Sequence, residues 1–341
     1  MAKKNINWSN IGFGYIKTDK RYVSNYKNGA WDDGVLTDDD QITISECACV
    51  LQYAQTVFEG LKAYTTKDSH VVCFRPDLNA ARFKDSASRL EMPTIPEDKF
   101  IDAIVKTVEA NIDYVPPYGS GATLYIRPYM FGSDAIIGVR PANEYQFRVF
   151  ATPVGPYFKG GVKPITIRVS DFDRAAPHGT GHIKAGLNYA MSLHAIVDAH
   201  KQGYDENMYL DAATHTKVEE TGGANFIFVT KDNKVVTPKS NSILPSITRR
   251  SLMVVAEKYL GLEVEEREVY FGEVKDFAEC GLCGTAAVIS PVGKIVDHGK
   301  EICMPSGIDK MGPITKKLYD TLTGIQMGHI EAPEGWIKVI K

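Results

Sequence analysis

Long apolar runs are missing from this sequence. No stretch of its 341 residues approaches the roughly 20 consecutive apolar positions that a membrane-spanning helix requires. The opening residues, Met1 to Trp8, are polar and lack the apolar core of a secretory signal. A surplus of one charge is missing too. The 39 Lys and Arg stand against 42 Asp and Glu, a formal net charge of -3, and the cations are spread along the chain. That balance removes the electrostatic reason to expect nucleic acid or an anionic membrane as a partner. Cysteine is scarce. The six thiols, Cys47, Cys49, Cys73, Cys280, Cys283 and Cys303, sit in apolar or glycine-rich surroundings. Without a secretory signal they read as reduced side chains and not as a disulfide framework. A cytoplasmic enzyme is the expectation.

The residues that are present, 44% hydrophobic and 24% charged, match a soluble globular chain with room for about two domains. Spacing predicts helices over 77 to 91, with Asp77 as cap, and over 97 to 112, where Phe100, Ile104 and Val108 share a face. Strands are expected at 122 to 127 and 146 to 152. The Gly- and Pro-dense segment 153 to 164 reads as a linker, giving a smaller N-terminal domain over 1 to 152 and a larger one over 165 to 341. The second domain is expected to hold strands near 165 to 170, 207 to 211, 225 to 230 and 286 to 289. Its helices are expected over 187 to 201 and 246 to 259. The fold class is mixed α and β.

Four segments carry chemistry. In GTGHIKAGLNY, 179 to 189, Lys184 stands between glycines and a helix. A lysine that forms an imine needs a neutral amine, hence a site where burial lowers its pKa. Glycines there let a flat ring approach the backbone, and Tyr189 is placed to donate to an oxygen on such a ring. Lys184 taken alone reads as a solvated lysine before a helix, as most lysines are. In VEETGGANFIFV, 218 to 229, Glu220 or its neighbour Glu219 sits at a strand edge facing a cavity; a carboxylate there keeps a pyridine nitrogen protonated. In SILPSITRR, 242 to 250, Pro245 is placed in the first turn of a helix, so that the N–H groups of Ile247 and Thr248 form an anion site. In CGTAAVISP, 283 to 291, a Gly-Thr-Ala turn offers further backbone donors.

Together with FGYIKTD (13 to 19), YAQTVFEGLKAY (53 to 64), FRPDLNAARF (74 to 83), LYIRPYMFG (124 to 132) and PVGPYFKGG (153 to 161), these segments stand in an order that resembles the branched-chain aminotransferases. These are fold-type IV pyridoxal-phosphate enzymes, related to D-amino acid aminotransferase. The resemblance spans roughly residues 13 to 295. It implies two mixed domains with pyridoxal 5′-phosphate at their interface. It also settles the choice of glutamate, since the family's pyridine-binding residue stands five before an asparagine, as Glu220 does before Asn225.

The resemblance implies that Lys184 forms the Schiff base and shuttles the proton, that Glu220 pairs with the ring nitrogen and that Tyr189 bonds the ring hydroxyl. Arg82, Ile247, Thr248 and Thr285 are implied to hold the phosphate. Phe13, Tyr53, Phe58, Tyr125, Val139 and Tyr157 match pocket-lining positions. Arg127, Tyr125, Thr285 and Ala286 match ligands of the substrate carboxylates. The implied reaction exchanges amino groups between Leu, Ile or Val and 2-oxoglutarate, in a homodimer. Two alternatives are a D-amino acid transaminase or aminodeoxychorismate lyase on the same fold and, more remotely, a non-catalytic phosphate-ligand binder. No metal site is expected: Pro177, Gly179 and Gly181 oppose the helix that would align His178 with His182. Cys280 and Cys283 read as two small core residues in preference to a thiol switch.

Overall fold

The computed structural model describes residues 4–8, 10–155 and 162–341. By contact the chain divides into two units. One comprises Met1–Tyr157, Ile183–Gly186 and Ile325–Lys341, the other Phe158–His182 and Leu187–Gly324.

In chain order the first unit carries β1 (Arg21–Lys27), β2 (Ala30–Trp31), β3 (Val35–Thr37), α1 (Cys49–Tyr53), β4 (Thr56–Phe58), β5 (Leu61–Thr65), β6 (Val71–Phe74), α2 (Pro76–Arg89), α3 (Glu97–Ala110), β7 (Thr123–Gly132) and β8 (Tyr145–Val154). Its described strands form one antiparallel sheet in which β6, β5, β7, β8, β1 and β2 are successive neighbours. Phe83 of α2, Phe100 of α3 and Phe147 of β8 meet with centroids 5.1 to 5.9 Å apart, joining both helices to the sheet.

Both helices lie close to their expected spans, but Asp77 is not the cap of the first. Arg75 takes that position with φ 47° and no side-chain cap bond, and Pro76 opens the helix. A proline fixes its own φ at a helical value and needs no N–H acceptor, so it starts the turn one residue earlier.

The second unit carries β9 (Ile165–Val169), α4 (Gly186–Lys201), β10 (Glu206–Met208), β11 (Asn225–Val229), β12 (Val235–Pro238), α5 (Ile247–Leu260), β13 (Val264–Arg267), β14 (Glu279–Gly284), β15 (Val288–Asp297), β16 (Lys300–Cys303) and α6 (Pro313–Gln326). Its mixed sheet runs β10-β9-β15-β14-β11-β12-β13, with β16 beside β15. Phe226, Phe228, Val236, Phe277, Leu282 and Ile295 form its core. The strand expected at 286 to 289 starts only at Val288, because Thr285–Ala287 form the turn between β14 and β15.

The expected continuous domain over 165 to 341 is corrected at two places. The Lys184 segment joins the first unit through an antiparallel bridge between Val57 and Ala185. The last strand, Ile337–Val339, pairs with β6. The first domain also runs past 152, since β8 continues to Val154. Half of the expected linker, 156–161, lies outside the described residues.

Candidate active site

In the first unit, Lys184 is fastened by its backbone. The Phe58 N–H donates to its carbonyl at 3.1 Å, and its own N–H donates to Ser86 Oγ at 3.0 Å. Its side chain is half-buried, with Nζ 4.7 Å from the Phe58 ring centroid. The side chain is therefore not fully buried, and the Phe58 ring covers it on one side.

Phe58 is shared. Arg127 Cζ lies 4.8 Å from the same ring and 5.3 Å from the Tyr125 ring, and Arg127 Nη2 donates to the Tyr125 hydroxyl at 2.9 Å. Arg127 Nε is buried without a partner among the described residues. Phe13 meets Tyr125 edge-on at 5.9 Å. Gly60 makes room for the tyrosine, since a Cβ there would stand 2.1 Å from its hydroxyl. Alternation along β7 puts Tyr125 and Arg127 on one face of the sheet, which is why residues two apart act together. An aromatic wall thus carries an amine and a guanidinium.

Other expected pocket residues are scattered. Tyr53 is exposed and donates to the Ile137 carbonyl, and Val139 in the same loop is 86% exposed. Tyr157 lies outside the described residues. Arg82 is buried in a two-pronged pair with Glu59, Nε to Oε1 and Nη2 to Oε2, both at 2.7 Å. Asn79 Nδ2 adds a third donor to Glu59 at 2.7 Å. In the sequence Glu59 is marked only by its place between Phe58 and Gly60 in the segment 53 to 64. Lys62 was passed over as well. It is buried on β5 opposite Tyr125, and burial drops its ammonium to about 8.

In the second unit the ETGGAN segment folds as a tight turn. Thr221 Oγ1 accepts from the Gly223 and Ala224 N–H groups, and Glu220 bridges to Asn225. That turn explains the five-residue spacing. Glu220 is 1% exposed. Its Oε1 accepts from Arg174 Nη1 and from the Leu244 N–H, and its Oε2 from Asn225 Nδ2, each at 2.8 Å. Glu219 accepts from Ser240 instead, burial pushes its carboxyl pKa up, and it lines a cavity of about 420 Å³ with Lys239 and His178. Successive residues of an extended chain point to opposite sides, so Glu219 and Glu220 face different surroundings.

The same end of this sheet gathers backbone donors. Leu244, bound to Glu220, stands three residues before α5, whose cap is Ser246 and not Pro245. Pro245 precedes the helix. Ser246 Oγ accepts from the Arg249 N–H at 3.2 Å, and helix geometry leaves the N–H groups of Ile247 and Thr248 without intrahelical acceptors. Asn225 pairs with Cys283, so the half-buried turn holding Thr285 and Ala286 follows at that edge. Tyr189 lies half-buried in the first turn of α4, and Asn188 beside it is tied to Thr180 at 2.7 and 2.8 Å. A Cβ on Gly181 would stand 2.1 Å from the Ser242 carbonyl oxygen, so this glycine admits a close approach of backbone.

Cys280 and Cys283 are fully buried three residues apart on β14, hence on opposite faces, and burial raises both thiols, that of Cys283 to about 12. Among the described residues no group of three or more His, Cys, Asp or Glu has the arrangement to hold a metal ion. No described helix is long and apolar enough to cross a membrane.

The chain as a whole is similar to known proteins. The class IV amino-transferase family model covers residues 56–295. A branched-chain-amino-acid aminotransferase of Haemophilus influenzae is 52% identical over 339 residues, 98% of each chain. The crystal structure of the Escherichia coli branched-chain amino acid aminotransferase superposes with a TM-score of 0.80 at 28% identity, covering 95% of this chain and 100% of that one. The pyridoxal-phosphate holo-form of the Thermobaculum terrenum enzyme does so at 0.78 and 26%, covering 96% and 100%. With a half-buried lysine and an arginine on an aromatic wall, and a buried glutamate paired with an arginine beside a helix start, this chain belongs to the class IV aminotransferases.

Proposed function

We propose that the protein is a branched-chain amino acid aminotransferase that uses pyridoxal 5′-phosphate to exchange amino groups between Leu, Ile or Val and 2-oxoglutarate. The observation that carries this reading is the cluster Lys184, Phe58, Tyr125 and Arg127, an amine and a carboxylate-binding pair on one aromatic surface. The name of the 52% identical relative supports the substrate class.

The donor set fits the cofactor. A buried carboxylate suits a pyridinium nitrogen, and unfilled helix-start N–H groups suit a phosphate. Glu220 is assigned to the ring nitrogen and Tyr189 to the ring hydroxyl. Ile247, Thr248, Thr285 and Arg82 are assigned to the phosphate, with Glu59 holding the Arg82 fork in place. When bound, the cofactor supplies an electron sink for the bond made acidic at the substrate α-carbon.

The protein's own residues do the rest. Lys184 Nζ takes and returns the α-proton, steadied by the Phe58 ring. Arg127, with the Tyr125 hydroxyl, and the amides of Thr285 and Ala286 fix the substrate carboxylates, so that a branched side chain lies against Phe13, Phe58 and Tyr125. Each methylene buried there stabilises binding by about 0.8 kcal/mol. The exposed Ile137 and Val139 and the exposed Met191, Leu193 and Val197 of α4 support assembly as a homodimer, and sedimentation of the holoenzyme as a monomer at micromolar concentration excludes it.

Borohydride reduction of the yellow holoenzyme is expected to leave the cofactor label on Lys184, with L-leucine and 2-oxoglutarate turned over. A colourless protein, a label elsewhere, or turnover of D-alanine without L-leucine overturns this function.

A further inference from the structure

We propose that Arg174 is a positioning residue for Glu220, and that its guanidinium sets where the shared proton lies between that carboxylate and the base it contacts. The inference rests on the assignment of Glu220 to the cofactor ring nitrogen.

Arg174 and Glu220 side chains are each 2% exposed, and Nη1 lies 2.8 Å from Oε1. Such a pair is costly to bury and is more than filler in a core that Met or Leu would fill as well. The guanidinium is also held in place. The same Nη1 lies 3.3 Å from the carbonyls of Gly181 and Ser242, while Nε is buried without a partner among the described residues. Gly181 has no space for a side chain against Ser242, so the segment from Arg174 to Gly181 is clamped over the Glu220 end of the sheet. Leu244 and Asn225 supply neutral donors to the same carboxylate. Arg174 supplies its cation.

The consequence is electrostatic. One proton is shared between Glu220 and a base on the far side of it, either as carboxylate with protonated base or as neutral acid with free base. A fixed cation disfavours the proton at both places, more strongly at the nearer one. A base held by Glu220 and not touching Arg174 would feel the smaller field, since the Coulomb interaction falls with distance. Arg174 thereby holds the proton on the ring nitrogen, where it makes the ring an electron sink. Removing the charge moves the same proton to Glu220 with no change in the total bound.

The test reconstitutes holoenzyme with ring-¹⁵N pyridoxal 5′-phosphate and reads the nitrogen resonance. The wild type and Arg174→Lys are expected at the protonated-pyridine position. Arg174→Gln and Arg174→Met, the latter filling the volume of the stem, are expected to move toward the free-base position. Their kcat should fall by about tenfold or more, as a shift of one pK unit implies, with KM for L-leucine within about twofold of the wild type. Glu220→Gln is expected at the free-base position. If Glu220→Gln moves the resonance while both neutral Arg174 variants keep it, the inference fails and the Glu220 assignment stands. If Glu220→Gln also leaves it unmoved, the assignment itself fails and the inference with it. A purely structural Arg174 lowers cofactor content and melting temperature and leaves the resonance in place.

Discussion

Lys62 shows how a single residue escapes notice in a sequence and still shapes stability. Burial holds its ammonium at about 8 against an ordinary value of 10.5. The folded state therefore sheds this proton first, and between those two values the unfolded chain binds more protons. Stability attributable to this group rises with pH across that window, because the cost of a buried charge is present in full below about 8 and gone above 10.5. The cost at neutral pH is on the order of 3 kcal/mol. Lys62→Met is expected to denature at higher urea than the wild type at pH 7, with the gap closing as pH approaches 10. A gap that stays constant or widens over that range contradicts the buried charge. At this scale legibility was uneven. The spacing from Glu220 to Asn225 reflects a local turn and was readable. The partnerships of Glu59 with Arg82 and of Arg174 with Glu220 span 23 and 46 residues, and no local pattern encodes a contact of that range.

The elements follow local rules where those rules are strong. The apolar spacing of α3 and the alternation of β7 and β8 act within a few residues, and those elements lie close to their expected spans. The start of α5 was misread because proline in a first turn and serine at a cap are competing signals. Serine prevails here, since its hydroxyl oxygen accepts from the third N–H of the helix. Ser246→Ala is accordingly expected to cost about 1 kcal/mol, with Ser246→Thr retaining most of it. Amide exchange in the first turn of α5 checks this, and unchanged protection at Arg249 in Ser246→Ala contradicts the cap. The segment 286 to 289 was misread for a similar reason. β-branched residues follow directly after the turn, and Val288 itself sits at φ 63°, an arrangement that periodicity does not announce.

At the scale of the whole chain, a division into two units was legible from the glycine and proline around 153 to 164, and the return of the chain end was not. Ile337–Val339 is three residues long, too short to read as a strand. Its place comes from what it covers. It pairs with β6, and Trp336 stands edge-on to Phe74 at 5.5 Å with Arg75 4.4 Å from its ring. The Trp336 carbonyl also accepts from the Arg75 N–H at 2.8 Å, fixing the left-handed residue that opens α2. A chain ending at Met327 leaves β6 as a bare edge and strips Phe74 of its cover. Trp336→Ala, which keeps the strand, is expected to cost about 3 kcal/mol, the usual loss for a buried tryptophan. In both variants hydrogen exchange should quicken through β6, β5 and the start of α2, while β11 and β14 keep their protection because they belong to the other unit's core. Equal loss across both sheets would show that the tail stabilises the molecule as a whole. No loss at all would mean that its pairing with β6 contributes nothing to the first unit.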